Sequence, residues 1–207
     1  MLNYNLSSNI KKVEKNDLDK QYILFGNRIP KDFFITSGIG ESDISIHAGS
    51  FHLALKDAGI EKCNIINYSS ILPSVAREVK KPKFLIHGSV IEAIMAIAHS
   101  TMGERATAGI IVGWLYEKST RKKYGGIVCE YNGSLNEKEA KEILNKSINE
   151  IYENGFSDKF YLIKDKVVTR SIIPKKRFGS SIVALCFLNY LYPVVNQQID
   201  KKFSDSI

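Results

Sequence analysis

Three β-rich runs fill the middle of the chain and limit what it can fold into. Residues 84–98 contain FLIHG and VIEAIMAIA, residues 106–116 read ATAGIIVGWLY, and residues 124–131 read YGGIVCEY. β-Branched and aromatic residues populate these runs and charged turns separate them, the pattern of antiparallel neighbours. An amphipathic helix is predicted next, over residues 137–154. There Ala140, Ile143, Leu144, Ile148, Ile151 and Tyr152 share one face, as a helix lying on a sheet requires. Asn136 and Glu139 have capping-box spacing, and Gly155 stands where a helix stops.

The flanking segments extend this picture. Residues 22–25 and 33–36 read as strands, the second broken by a glycine-rich loop at 38–42. A short helix is expected over residues 50–58, with Phe51, Ala54, Leu55 and Ala58 in phase and Gly59 as its stop. A strand is expected over 64–69, and two more over 160–163 and 167–173. Residues 181–192 fit strand or helix by periodicity alone. The sum is an α+β fold, a layered αββα sandwich of mainly antiparallel sheets. Residues 1–20 are expected to be a polar extension, and residues 21–207 a single domain.

Composition removes several classes of function. A hydrophobic content of 44% supports a packed core. No apolar run approaches the roughly 20 residues that span a bilayer, and the polar first residues lack a signal-peptide pattern. The expectation is a cytoplasmic protein without a membrane partner. Cys63, Cys129 and Cys186 are odd in number and scattered, so they read as free thiols rather than disulfides or a zinc site. His47 and His52 lack a well-spaced third ligand, and no metal is expected. The net charge of +7 raises nucleic-acid binding. Its densest clusters, at 80–83, 121–123 and 175–177, fall at expected turns. Solvated loops account for them, and no nucleic-acid partner is expected.

The chemistry is carried by residues 64–73, NIINYSSILP. Taken alone, Ser69 and Ser70 at the end of a strand are an ordinary turn. Two further blocks give them a context. One is Ser37-Gly38-Ile39-Gly40-Glu41-Ser42, and the other is Gly126-Ile127-Val128-Cys129-Glu130-Tyr131-Asn132-Gly133. With Ala58-Gly59-Ile60-Glu61 ahead of Asn64, these blocks resemble the pyruvoyl-dependent arginine decarboxylase family over roughly residues 22–192.

The resemblance implies a self-processing enzyme. Ser70 Oγ attacks the Ser69 carbonyl, the acyl group moves from nitrogen to oxygen, and elimination and hydrolysis leave a pyruvoyl group covalently bound at position 70. The chain is thereby divided into a β chain, 1–69, and an α chain, 70–207. The ketone then takes up the substrate amine and acts as an electron sink when carbon dioxide leaves. Arginine would become agmatine. Glu130 is implied as proton donor to the α-carbon, which requires a pKa raised by burial. A Glu130→Gln variant is expected to lose turnover and to keep its cleavage. Asn64 is implied near the processing site, where an amide would polarise the Ser69 carbonyl; a plain turn asparagine is the alternative. Ser69 and Ile71 would line the pocket, and the segment from Glu61 to Cys63 would contact substrate. The resemblance also implies homotrimers with pockets between neighbouring subunits. Polyamine synthesis and proton consumption both remain open as uses for the amine.

One position departs from the family pattern. His52 stands where the family carries an aspartate that would pair with the arginine guanidinium, and a neutral imidazole cannot make that bidentate pair. Glu41, Asp43 or Asp57 are the nearby acids that could supply a carboxylate. His52 therefore leaves open the same chemistry on another amino acid, and the net charge of +7 with its lysine clusters leaves open an unprocessed binding protein, one for nucleic acid among them, built on the same fold.

Overall fold

Long strands whose side chains alternate between two apolar environments organise the molecule. The computed structural model describes residues 27–193, so the polar extension and the strand expected at 22–25 lie outside the described residues. The compact unit is Ile29–Leu191. In chain order it comprises β1 (Ile29–Pro30), β2 (Asp32–Ser42), a π-helical turn (Ile46–Phe51), α1 (His52–Ala58), β3 (Asn64–Asn67), β4 (Ile71–Pro73) and β5 (Arg77–Glu78). There follow β6 (Val90–Thr101), β7 (Ala106–Glu117), β8 (Lys123–Gly133), α2 (Glu137–Gly155), β9 (Phe160–Ile172), β10 (Phe178–Phe187) and β11 (Tyr190–Leu191).

The fold is mixed α+β, with mostly antiparallel sheets and two helices. One sheet has the order β3-β6-β10-β2-β5, the other β4-β8-β7-β9, and β1 pairs with β11. Only β3 on β6 and β5 on β2 run parallel among these pairs. One apolar cluster joins the two large sheets, with Phe33, Ile94, Val183 and Leu185 from the first and Ile110, Val112, Trp114 and Val128 from the second. A second cluster packs Ala54 and Ala58 of α1 on Phe34, Ala93 and Ile182. A third packs Leu144 and Ile148 of α2 on Ile111, Leu115, Ile127 and Cys129. Neighbouring strand residues thus serve different clusters, as the two-residue strand period demands.

Several sequence expectations need correction. The glycine-rich segment at 38–42 is no loop; it continues β2. Its glycines admit α1: a Cβ on Gly38 would lie 2.1 Å from Ala54 O, and one on Gly40 2.3 Å from Ser50 O. Helix α1 is shorter than expected, because residues 46–51 wind as a π-turn. Residues 84–89 stay outside the strand β6. Gly88, at φ 80°, turns the chain there, and Ser89 N donates to Ile86 O at 3.1 Å. The two strands expected over 160–173 are one strand, β9. Val112 pairs with Lys166 and Gly113 with Lys164, so Asp165 is an extra residue; bulges of this kind kink a strand without ending it. The ambiguous segment from 181 is mostly β10, flanked by β6 and β2 and buried on both faces, which erases the alternation that would mark a strand.

Helix α2 carries the expected capping box, with Glu139 N donating to Asn136 Oδ1 at 3.0 Å and Asn136 N to Glu139 Oε2 at 3.2 Å. All three cysteines are free; Cys129 and Cys186 are buried and Cys63 half-buried. Among the described residues, no group of three His, Cys, Asp or Glu could hold a metal ion, and no helix is long and apolar enough to cross a membrane.

Candidate active site

The residues from Tyr68 to Ile71 cross from one sheet to the other. β3 is an edge strand of the first sheet and β4 an edge strand of the second. Tyr68 N still bonds Ala93 O of β6, at 2.8 Å, and Val128 N of β8 already bonds Ser70 O, at 2.9 Å. The peptide bond between Ser69 and Ser70 is therefore held on each side by a different sheet. Cutting it would leave both new ends anchored.

Glu130 meets this crossing from β8. Val128 faces the cluster between the sheets and Cys129 faces α2. By strand alternation Glu130 returns to the side between the sheets, where its Oε1 accepts a hydrogen bond from Ser70 Oγ. The Glu130 side chain is exposed at the surface of the single chain. Enough protein still surrounds it for desolvation to push its carboxyl above the ordinary glutamate range, against the smaller lowering effect of the Ser70 hydrogen bond. The neighbouring Cys129 thiol is pushed up to about 11, by burial first and by the Glu130 charge second.

The other expected site residues do not all gather here. Ile71 follows Ser70 directly and is 60% exposed. It borders an apolar cavity of about 320 Å³ with Tyr124, Ile127 and Phe156. Asn64 stands at the far end of β3, a strand spanning roughly 10 Å. Its Nδ2 donates to Gly88 O at 3.1 Å and its backbone N to Ser89 O at 2.8 Å. Cys63 shares a 3.3 Å contact with Ser89 Oγ. Glu61 lies in the turn before it, and His52 is the exposed first residue of α1. The structure thus shows two groups within one chain. Ser69, Ser70, Ile71 and Glu130 form one, and Glu61, Cys63 and Asn64 form the other at the opposite end of β3.

Sequence reasoning missed two features of this region. Glu92 is a 2% exposed carboxylate that accepts a hydrogen bond from the Tyr68 hydroxyl, which fixes the residue before Ser69. A charged residue inside the apolar run VIEAIMAIA was its signal. The backbone bonds from Val128 N to Ser70 O and from Ile71 N to Ser69 O, each 2.9 Å, have no signature in residue type. The acids considered as replacements for a carboxylate at position 52 are engaged elsewhere. Asp57 accepts from Ile39 N at 3.0 Å and lies 3.6 Å from Arg170 Nη2. Glu41 accepts from Lys175 N at 2.7 Å, and Asp43 from Arg177 N at 3.1 Å.

A serine whose hydroxyl is bonded to a raised-pKa carboxylate, next to a peptide bond pinned on both sides, fits the formation of a pyruvoyl group from Ser70 and a proton donor beside it. Comparison with known proteins points the same way. A family model described as pyruvoyl-dependent arginine decarboxylase matches residues 32–191. The pyruvoyl-dependent arginine decarboxylase AaxB of Chlamydia abortus is 32% identical over 187 residues, covering 80% of this chain and 94% of its own. The pyruvoyl-dependent arginine decarboxylase of Methanocella arvoryzae is 34% identical over 127 residues, covering 56% of this chain and 75% of its own. That of Methanopyrus kandleri is 46% identical over 70 residues, 34% of this chain and 45% of its own. The chain therefore belongs to the pyruvoyl-dependent arginine decarboxylase family, carboxy-lyases that work with a covalently bound pyruvoyl group.

Proposed function

We propose that this protein cuts itself between Ser69 and Ser70, converts Ser70 into the pyruvoyl group, and decarboxylates L-arginine to agmatine and carbon dioxide. The observation that carries the reading is the hydrogen bond from Ser70 Oγ to Glu130 at the crossing between the sheets. It puts a proton acceptor on the hydroxyl that must attack the Ser69 carbonyl. Cleavage yields the β chain, 1–69, and the α chain, 70–207. The chains separate when the Ser69 carboxylate leaves Ser70 Cβ of the ester by elimination, and hydrolysis of the dehydroalanine then releases ammonia.

Once formed, the pyruvoyl ketone supplies an electron sink for the loss of carbon dioxide. Glu130 holds a proton close to position 70 and delivers it to the substrate α-carbon, and its raised pKa suits that task. Ile71, which follows Ser70 directly, is a proposed lining residue of the site, and it borders the cavity with Tyr124, Ile127 and Phe156. The hydrogen bond also revises the expectation for Glu130→Gln. Glu130 serves both reactions, so the variant should be slowed in cleavage as well as in turnover.

The layers form an αββα sandwich, a reading supported by the three clusters: α1 packs on residues of one large sheet, α2 on residues of the other, and the two sheets share the remaining cluster. The separation of Asn64, Glu61 and Cys63 from Ser70 supports a homotrimer whose sites lie between subunits. One subunit would bring its Ser70 and Glu130, and its neighbour would bring the Asn64 end of β3. The cytoplasm is the proposed location, with no membrane or nucleic-acid partner.

The test is to incubate purified protein with arginine and a panel of other amino acids and to measure amine and carbon dioxide. Agmatine from arginine supports the proposal. A second reading, the same chemistry on another amino acid, is favoured by His52, exposed at the start of α1, with the nearby acids Asp57, Glu41 and Asp43 each already accepting a backbone N–H. A different amine and no agmatine would select it.

A further inference from the structure

We propose that the backbone N–H of Ile71 is the group that activates the Ser69 carbonyl for self-cleavage and holds its oxygen as negative charge develops there. This inference rests on the self-processing reading and adds a catalytic group to it.

Ile71 N donates to Ser69 O at 2.9 Å, closing a three-residue turn centred on Ser70. Ser70 is not among the residues of positive φ, so the turn is of the inverse γ kind. The register explains why this N–H is available. Ile71 pairs with Ile127, and Val128 N bonds Ser70 O. That bond flanks a non-hydrogen-bonded antiparallel pair, in which the N–H and C=O of Ile71 point away from β8. In an inner strand the next strand would take this N–H. β4 is an edge strand, and the Ser69 carbonyl takes it instead. The side chain first considered for this task, the Asn64 amide, donates to Gly88 O at 3.1 Å.

The step balances without an added reagent. A bond forms between Ser70 Oγ and the Ser69 carbonyl carbon, and the carbonyl π pair moves onto the oxygen that faces Ile71 N–H. The hydroxyl proton passes to Glu130. When the adduct collapses, the C–N bond between Ser69 and Ser70 breaks, and the Ser70 nitrogen takes up the proton. A donor fixed in place before reaction strengthens its bond as the oxygen gains charge, which lowers the barrier rather than only binding the starting peptide.

The test uses full-length chains in which single backbone hydrogens are removed. In one, the α-hydroxy counterpart of isoleucine at position 71 replaces the amide by an ester. In a second, Ile71 is N-methylated, which removes the same hydrogen and keeps the amide. In a third, an ester at Val128 removes the bond to Ser70 O and leaves Ile71 N–H intact. Folding is checked by circular dichroism, and cleavage is followed by mass spectrometry beside the unaltered chain. Loss of one oxyanion donor is expected to slow cleavage by about 100-fold or more. The Ile71 chains that fold should show this loss, and the Val128 ester should be slowed far less. A folded Ile71 chain that cleaves within a few-fold of the unaltered one, or no more slowly than the Val128 ester, overturns the inference. An unaltered chain that never cuts after Ser69 overturns the self-processing reading itself.

Discussion

At the residue scale the account turns on Ser70 and Glu130. Ser70→Ala removes the attacking oxygen, so we expect a single uncut chain by mass spectrometry; normal splitting would refute the assignment. Glu130→Gln keeps the shape and loses the proton. Turnover should fall by roughly 100-fold or more, the usual worth of general acid–base catalysis, read as kcat on whatever fraction is processed. The pH dependence has a definite sign. A proton donor acts when protonated, and desolvation raises the pKa of Glu130, the proposed donor. Turnover should therefore be sustained to higher pH than an ordinary glutamate allows and should decline as pH rises through the raised value. Glu130→Gln should lose that limb of the profile. Ser69, Ser70 and Glu130 were legible in the sequence because their side chains sit in recognisable blocks. Ile71 N–H and Val128 N–H were not, since every residue but proline carries the same backbone donor. Within one chain the extended strand β3 separates Asn64 from Ser70, a separation that sequence spacing alone does not reveal.

At the scale of elements, local signals were read well where they concern one element and poorly where they concern two. The capping box of α2 is local, and both of its hydrogen bonds are present. Asn136→Ala should cost about 1 kcal/mol of stability, measured by urea denaturation. Gly38 and Gly40 look like a loop in sequence, yet their purpose is set by α1, a dozen or more residues further on. Filling the gap should be costly. Gly38→Ala places a methyl against the Ala54 carbonyl, and overpacking of that kind typically costs about 1–3 kcal/mol. Thermal denaturation should show a clear drop in Tm; an unchanged Tm would mean that α1 is not seated on β2 through this glycine. β10 was ambiguous for a similar reason. A strand covered on both faces loses the alternation that periodicity detects.

At the scale of the whole molecule, the fold brings two sheet edges together and runs the Ser69–Ser70 peptide bond between them. The α+β class and the antiparallel order were readable from the β-rich runs and the amphipathic helix. The crossing was not, because strands adjacent in sequence, β3 and β4, join different sheets. Native mass spectrometry should find three copies of the processed pair if sites form between subunits, and a monomer with full activity would contradict that arrangement. The central claim is that the chain is cut between Ser69 and Ser70 to make its own cofactor. Mass spectrometry of the denatured protein tests it most directly. We predict two fragments, 1–69 and 70–207, the larger bearing a blocked, ketone-containing N-terminus. A single intact chain after long incubation would contradict the account.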